Sequence, residues 1–291
     1  NLSHVSLPEA EGLVEALWTA TRRSGREARL LIDMQGPELR VGRLPEPLRL
    51  REGERLPLSA LPLPEALRKE LHPGQELLLD DGKLRLRLET AEALRVLRGG
   101  ELQSRKSVAA PGLTIPLKAL TADDRANIAL AKEYGVTGVM QPFVRGPGDL
   151  RELRLALDEA GGNDIRIFAK IESMEGVGRL EELLPFADEI VIARCDLGNA
   201  MPLWQLPAAQ KRIAAVCRWA DKPFMVVTQM LSSMEHSPIP TRSEVSDVFN
   251  AVLDGAASVM VTGETAVGEY PEEVVRYLVN TVSEALRFQE E

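Results

Sequence analysis

The segment IRIFAKIESMEGVGRLEELLPFADEIVIARCDLG, residues 165–198, holds two short apolar runs, each followed by a cluster of polar residues. The runs IRIFAKIE (165–172) and EIVIARCDLG (189–198) do not alternate between apolar and polar residues. Runs of this kind are typical of parallel strands that are buried on both faces. The segment therefore predicts two neighbouring strands of a parallel sheet whose ends carry polar side chains.

Four further runs end in the same way, with helical patterns between the runs; they are ARLLIDMQG (28–36), VTGVMQPF (136–143), KPFMVVTQ (222–229) and ASVMVTGE (257–264). An open doubly wound sheet could use six strands, but no glycine-rich turn follows the first strand to mark a dinucleotide site. In an eight-stranded barrel the active site lies at the carboxyl ends of the strands, where this chain has its polar clusters. We therefore expect an α/β fold, a (β/α)8 TIM barrel that is N-terminally incomplete, with the first strand and most of the second before Asn1.

A different pattern occupies the stretch between the first two of these runs. Period-two alternation occurs in residues 43–58, 75–90 and 93–102, around turn residues that predict hairpins: Asp80, Asp81, Gly82, Gly99 and Gly100. We expect a small β-barrel-like insert after the third barrel strand, with Pro37 and Pro111 at hinges that let it close as a lid. The expected domains are 1–36 and 113–291 for the barrel and 37–112 for the insert.

The composition excludes several classes of protein. With 44% apolar and 27% charged residues in 291, the chain is neither disordered nor collagen-like, and a net charge of −9 argues against a nucleic-acid partner. No apolar stretch approaches the roughly 18 residues of a membrane span, and no signal peptide is evident. Only Cys195 and Cys217 are cysteines, which favours a reducing compartment. We expect a cytoplasmic protein without membrane partners.

Three charged residues lie at the ends of neighbouring predicted strands. Lys170 and Glu172 are two positions apart, so they point to the same face of their strand. Asp196 ends the next strand, which brings two carboxylates together in a way that suits Mg²⁺, an ion that takes few protein ligands. The alternative is that Lys170 only pairs with the two acids in a structural ion network.

Other strand ends carry weaker signals. Thr228 and Thr262 end the next two strands with hydroxyl groups, and each taken alone is better explained as a helix N-cap. Asp33 ends the first visible strand. Arg40 and Arg145 lie just beyond strand ends, where guanidinium groups can hold phosphate with two hydrogen bonds.

The order of these segments resembles that of one enzyme family. DMQGPELRVG (33–42) resembles the DTKGPEIRTG segment of pyruvate kinases, and further similar motifs follow in that family's order: LLLDDGKLRLRL (77–88), KSVAAPG (106–112), FAKIESMEGV (168–177), ARCDLG (193–198), TQMLSSM (228–234), PIPTRSEVSDVFNAVLDGA (238–256) and VTGETAVGEYP (261–271). The first four residues are similar to the family's NFSH segment. The resemblance covers essentially the whole chain. On this basis we expect the family's first barrel strand and its C-terminal effector domain to lie outside the chain, and kinetics without cooperativity or effector response.

The resemblance implies phosphoryl transfer from phosphoenolpyruvate to ADP, giving pyruvate and ATP, with Mg²⁺ (or Mn²⁺) and K⁺. It implies that Glu172 and Asp196 ligate the divalent metal and that Lys170 stabilises charge on the transferred group and the enolate. The residues implied for K⁺ are Asn1, Ser3 and Asp33. A homo-oligomer stays open.

The resemblance also implies contacts to the substrates. Thr228 would lie beside the carboxylate and methylene carbon of phosphoenolpyruvate, with the amides of Cys195 and Asp196 holding the carboxylate. The nucleotide would be bound by three residues: Arg40 and Lys106 at the phosphates, Arg40 also serving catalysis, and His4 against the adenine.

Several positions depart from the family's pattern, and the departures keep two rival functions open. Cys195 replaces a glycine, so that its Cβ would crowd the carboxylate pocket or demand another backbone angle. Other replacements are Met34, Gln35, Ala109, Thr262 and Val267. One rival is a metal-dependent pyruvate or 2-oxo acid lyase of the same barrel class, against which Lys106 argues modestly. The other is a non-catalytic pyruvate kinase paralogue, which Cys195 and Ala109 favour and the metal-site residues disfavour.

Overall fold

The computed structural model describes residues 1–3, 5–113 and 115–291. Within these residues the strands, in chain order, are β1 Leu30–Asp33, β2 Leu48–Leu50, β3 Arg55–Pro57, β4 Glu76–Leu79, β5 Leu84–Thr90, β6 Ala93–Arg98, β7 Gly100–Leu102, β8 Val108–Ala109, β9 Val136–Gln141, β10 Arg166–Ile171, β11 Glu189–Ala193, β12 Phe224–Val227 and β13 Ser258–Met260. The α-helices are α1 Glu11–Ser24, α2 Glu65–Glu70, α3 Ala122–Ala131, α4 Pro147–Glu159, α5 Met174–Gly178, α6 Leu180–Leu183, α7 Arg194–Asn199, α8 Leu206–Trp219, α9 Arg242–Leu253, α10 Gly263–Ala266 and α11 Pro271–Glu290. In the described part of the chain, no helix is both long and apolar enough to cross a membrane.

The chain divides into two compact units. The first comprises Asn1–Gly36, Leu120–Leu197 and Gln205–Glu291, and the second comprises Pro37–Ala119 and Gly198–Trp204. The boundaries predicted from the sequence differ from this division at residues 113–119 and 198–204, which group with the second unit. The predicted domain limits stay a prediction.

The first unit is built on a six-stranded sheet in the order β1-β9-β10-β11-β12-β13, in which every neighbouring pair is parallel. All six strands predicted from apolar runs are confirmed. All five residues of β11 and all four of β12 are buried, which explains why these strands lack alternation. The α/β fold class with a parallel, TIM-like sheet is therefore as expected.

Both faces of this sheet are apolar. One face carries a cluster formed by Met140, Phe168, Val191, Ala193, Met225 and Val227. Because successive strand residues point to opposite faces, the residues between them lie on the other face. Helices also contact the sheet, α4 at β10 and α8 at β11. The same alternation puts Lys170 on the face that carries Phe168, at the carboxyl end of β10.

The second unit contains two antiparallel sheets, a five-stranded one in the order β3-β6-β5-β4-β8 and a pair formed by β2 and β7. Its core is rich in leucine, with Leu77, Leu79, Leu86, Leu94 and Leu102 fully buried. The hairpin predicted at Asp80-Asp81-Gly82 is confirmed, since these residues have φ angles of 49°, 55° and 78° and join β4 to β5.

The hairpin predicted at Gly99-Gly100 is wrong. β6 and β7 belong to different sheets, because β7 pairs with β2 rather than with β6. A Cβ atom on Gly99 would lie 2.3 Å from the carbonyl oxygen of Leu50. The glycine thus allows the close approach of two backbones at a crossing between sheets, a use of glycine that turn statistics do not distinguish from a hairpin.

Candidate active site

The ammonium group of Lys170 is held between carboxylates of two different strands. Its Nζ atom lies 3.0 Å from Oε1 of Glu172 and 3.2 Å from Oδ1 of Asp33. The side chain of Lys170 is 14% exposed and that of Glu172 is 1% exposed. The expectation that Lys170 and Glu172 share one face is thus met, and Asp33 joins them from the end of β1.

A backbone amide fixes the orientation of Glu172. Its Oε2 atom accepts a hydrogen bond of 2.8 Å from the backbone N–H of Phe143, in the loop after β9. Phe143 has a φ of 51°, a left-handed conformation that turns this amide. The two oxygens of Glu172 therefore receive donors from two different strand ends.

Asp196 adds a third carboxylate to this group. It lies in the first turn of α7, which begins directly after β11. Burial by itself lowers the pKa of Lys170, but the charges of Glu172, Asp33 and, more weakly, Asp196 outweigh burial and raise the pKa above its usual range. Lys170 is therefore a permanent cation at neutral pH.

The donor set fits a divalent ion that takes few protein ligands. Glu172 and Asp196 supply hard carboxylate oxygens of the kind that Mg²⁺ prefers. Within residues 1–3, 5–113 and 115–291, no group of three or more His, Cys, Asp and Glu side chains is arranged to hold a metal ion. An ion at this site would accordingly take two carboxylates from the chain and its remaining ligands from water or substrate.

The three residues predicted for K⁺ lie together. Nδ2 of Asn1 donates to Oδ2 of Asp33 at 3.2 Å, and Oδ1 of Asn1 accepts from the backbone N–H of Ser3 at 2.8 Å. The backbone N–H of Leu2 donates to the carbonyl oxygen of Asp33 at 2.8 Å, which holds the first residues beside β1. The set offers amide and carboxylate oxygens, which suit a hard monovalent cation.

The hydroxyl group of Thr228 is directed at α7. Its Oγ1 atom accepts a hydrogen bond of 3.0 Å from the backbone N–H of Cys195. Amides in the first turn of a helix have no partner within the helix, so Thr228 caps α7 from the end of another strand. Thr228 and Gln229 have φ angles of 73° and 52°, whereas Cys195 has helical backbone and no positive φ. The cysteine therefore needs no special backbone angle.

Arg194, which was not singled out from the sequence, holds the loop that follows β12 in place. Its guanidinium group donates to the carbonyl oxygens of Thr228 and Gln229 and forms an ion pair of 2.5 Å with Asp247 of α9. The position of Arg194 directly before Cys195 and Asp196 was visible in the sequence. Its acceptors lie 34 residues further along the chain or more, so spacing could not reveal them.

Glu264 is a second residue that sequence reasoning missed. It is 1% exposed and accepts hydrogen bonds from the backbone N–H groups of Leu231 at 3.1 Å and Thr262 at 2.7 Å. Thr262 stands at the N-cap position of α10, but its hydroxyl donates to Glu264 instead of capping the helix. Glu264 thus joins the loop after β12 to the loop after β13.

Two of the three residues predicted to contact the nucleotide, Arg40 and Lys106, lie in the second unit. Arg40 pairs with Glu38 at 2.8 Å and donates to the carbonyl oxygen of Arg105 at 2.9 Å. Lys106 lies 2.9 Å from Oδ1 of Asp80. Burial raises the pKa of Asp80, but the hydrogen bonds and charges of Lys106 and Lys83 outweigh burial and lower this pKa below its usual value. His4 lies outside the described residues.

The remaining candidate, Arg145 in the loop after β9, is held by its own helix. It pairs with Asp149 of α4 at 3.2 Å and donates to the same carboxylate through its backbone N–H at 2.9 Å. This pairing fixes the guanidinium group at the start of α4.

Comparison with known proteins gives a consistent result. Residues 1–275 match the family model described as "Pyruvate kinase, barrel domain". The pyruvate kinase of Geobacillus stearothermophilus is 36% identical over 293 residues, covering 95% of this chain and 50% of the relative. That of Methylorubrum extorquens is 38% identical over 291 residues, covering 94% and 60%. That of Corynebacterium efficiens is 38% identical over 305 residues, covering 100% and 63%.

The chain thus spans between half and two thirds of the length of these relatives. The match runs through the six parallel strands and the insert, and it includes every strand end described above. The chain therefore belongs to the pyruvate kinase family.

Proposed function

We propose that the protein transfers the phosphoryl group of phosphoenolpyruvate to ADP, forming pyruvate and ATP, with Mg²⁺ (or Mn²⁺) and K⁺. Membership of the family and relatives named pyruvate kinase support this reaction. The observation that carries the proposal is the buried ammonium of Lys170 between Glu172 and Asp33, within the field of Asp196. A fixed cation next to two carboxylate ligands is suited to a reaction that redistributes phosphoryl charge.

Glu172 and Asp196 would hold the divalent metal, which when bound supplies neutralising charge to the oxygens of the substrate. The oxygens of Asn1, Ser3 and Asp33 would hold K⁺ next to the same ammonium group. Lys170 itself stays protonated and stabilises negative charge on the phosphoryl group and on the enolate that it leaves. Its role is electrostatic, because a lysine with a raised pKa is a poor proton donor at neutral pH.

The amides of Cys195 and Asp196 would hold the carboxylate of the substrate, with the hydroxyl group of Thr228 beside this carboxylate and the methylene carbon. The Cys195 amide donates to Oγ1 of Thr228, which places the hydroxyl group at the first turn of α7, where the carboxylate would bind.

In the second unit, Arg40 and Lys106 would bind the phosphates of ADP. Arg40 and Lys106 each have an acidic partner within their unit, Glu38 and Asp80. These partners hold the cations in place before the nucleotide arrives. A cytoplasmic location remains a prediction from the sequence.

The test is pyruvate formation from phosphoenolpyruvate and ADP in the presence of Mg²⁺ and K⁺, coupled to lactate dehydrogenase, with Lys170→Met as control. ADP-dependent pyruvate formation that the substitution abolishes would support the proposal. Pyruvate released from a 4-hydroxy-2-oxo acid without ADP would identify a lyase instead. No turnover of either substrate by a folded protein would identify a non-catalytic paralogue.

A further inference from the structure

The loop that follows β12 has a backbone that its residue types do not favour. Thr228 and Gln229 are consecutive and both have left-handed φ angles, 73° and 52°. This region is sparsely populated by non-glycine residues and is a genuine outlier for a β-branched residue such as threonine. Such a conformation persists only where surrounding contacts impose it.

One side chain supplies hydrogen bonds to the backbone of both residues. Nε and Nη2 of Arg194 both donate to the carbonyl oxygen of Thr228, at 3.1 and 2.6 Å, and Nη2 also donates to the carbonyl oxygen of Gln229 at 3.0 Å. Nη1 donates to Oδ2 of Asp247 at 2.5 Å. The side chain of Arg194 is 10% exposed. A planar guanidinium group with fixed donors is suited to hold two successive carbonyl groups in one orientation.

The carbonyl oxygen of Thr228 that Arg194 holds and the hydroxyl group that accepts from the Cys195 amide at 3.0 Å belong to the same residue. Contacts that restrain the backbone of Thr228 therefore also restrain the position from which Oγ1 meets that amide. Arg194 precedes Cys195 directly. The backbone of Arg194 thus leads directly to the amide that donates, and its side chain holds the loop whose hydroxyl group accepts.

We propose that Arg194, held by Asp247, is a positioning residue that sets the Thr228 hydroxyl against the first turn of α7 and so aligns it for the substrate. The effect of Arg194 on catalysis rests on the proposed function, whereas its effect on the position of the Thr228 hydroxyl group does not. The role is distinct from that of Lys170, Glu172 and Asp196, because Arg194 directs its guanidinium group at protein carbonyls and a carboxylate.

Amide hydrogen exchange at Cys195 tests the structural part without any substrate. Arg194→Met should speed exchange at this amide by about two- to tenfold, the effect of losing one hydrogen bond. Thr228→Val, which removes the acceptor and keeps the side chain's shape, should give a change of similar size. Arg194→Lys keeps the charge for Asp247 but not the fixed fork of donors, so it should restore the protection only in part.

Arg154→Met is the matched control. Arg154 also donates to three carbonyl oxygens, those of Gly162, Asn163 and Ile165, and pairs with Asp158. These contacts lie before the amino end of β10, at the opposite end of the strand from Lys170. Its loss should leave exchange at Cys195 unchanged. If both arginine variants speed that exchange equally, Arg194 only stabilises the fold and the proposal is wrong.

Turnover tests the catalytic part. In the active protein Arg194→Met should lower kcat about tenfold or more with KM for phosphoenolpyruvate changed less than about threefold, because misplacement of Thr228 affects the transition state more than binding. An unchanged kcat would overturn the proposal. If the unsubstituted protein does not turn over, the proposed function fails, and the exchange data still decide whether Arg194 positions Thr228.

Asp247→Asn covers the case in which Arg194→Met does not fold. It keeps the size of the side chain and removes the charge that anchors Nη1 of Arg194. A smaller change in the same direction, in exchange at Cys195 and in kcat, is expected. Exchange and kcat equal to those of the unsubstituted protein would overturn the role of the ion pair and, with it, the proposal.

Discussion

Oε1 of Glu172 lies 3.0 Å from Nζ of Lys170, and these two residues are separated by a single position at the end of β10. The carboxylate is almost fully buried and the ammonium nearly so, which would be costly for either charge alone. The carboxylate of Glu172 therefore stabilises the ionised form of Lys170. The pair thus holds one positive and one negative charge in fixed positions at the end of β10.

Glu172→Gln should weaken the binding of Mn²⁺ by about tenfold or more. The amide is isosteric with the carboxylate but carries no charge, and it leaves Lys170 with less compensation. Titration of the protein with Mn²⁺, followed by the loss of the free ion's paramagnetic resonance signal, gives the affinity directly.

Glu175→Gln is the control for this measurement, since Glu175 is exposed in the helix that follows the same strand. Equal affinities in the Glu172→Gln variant and the unsubstituted protein would show that the ion binds elsewhere.

Lys170→Met should lower kcat by about 100-fold, which corresponds to about 2.7 kcal/mol of transition-state stabilisation, with little change in KM. The reason is that the ammonium offsets charge that develops only during phosphoryl transfer. Steady-state kinetics with varied phosphoenolpyruvate separate the two constants. Lys132→Met, at an exposed position after α3, should leave both unchanged. A rise in KM at constant kcat would make Lys170 a residue for ground-state binding.

The apolar runs allowed the fold to be predicted because burial on both faces imposes a local composition on each strand. The grouping of Lys170 with Glu172 followed from the period of a strand, and that with Asp196 from strand adjacency. The roles of Arg194 and Glu264 could not be predicted in this way. Each side chain binds backbone groups in the loop after another strand, and the residue types of a loop do not show which side chain its backbone contacts. The wrong hairpin at Gly99 has a related cause, since the reason for that glycine is a carbonyl oxygen at Leu50.

Glu244→Gln should make the melting temperature of the protein less dependent on pH between pH 7 and pH 3. Burial raises the pKa of Glu244, but hydrogen bonds from Ser233 and Thr241 outweigh it and lower the pKa below the usual value of 4.5. A lowered pKa in the folded state adds stability above the unfolded pKa, and that stability is lost as pH falls through the folded pKa. The unsubstituted protein should therefore melt at a higher temperature than Glu244→Gln at pH 7, and the difference should shrink toward pH 3.

Thermal unfolding monitored by circular dichroism at both pH values measures this difference. Glu181→Gln, at an acidic residue in the first turn of α6, serves as the control and should show no comparable advantage at pH 7. A difference in melting temperature that is constant from pH 7 to pH 3 would contradict the predicted role of the ionised carboxylate.

Cys195→Gly should lower KM for phosphoenolpyruvate, because it removes a side chain beside the amides that approach the substrate's carboxylate. The helical backbone of Cys195 means that the gain comes from space and not from relief of backbone strain. Glycine is a poorer helix former than cysteine by about 0.3 kcal/mol, so the variant should unfold slightly more easily. Kinetics and urea unfolding of one preparation test both effects. An unchanged KM would show that the pocket accommodates the thiol.

The left-handed φ angles of Thr228 and Gln229 bring selection for stability into conflict with selection for activity. Glycine or asparagine would occupy these backbone angles with less strain, and each strained residue costs on the order of 1–3 kcal/mol. A library of variants selected only for heat resistance should therefore accumulate glycine or asparagine at both positions and lose the hydroxyl group. A library selected for growth on the protein's activity should keep threonine at position 228 and collect its stabilising changes elsewhere.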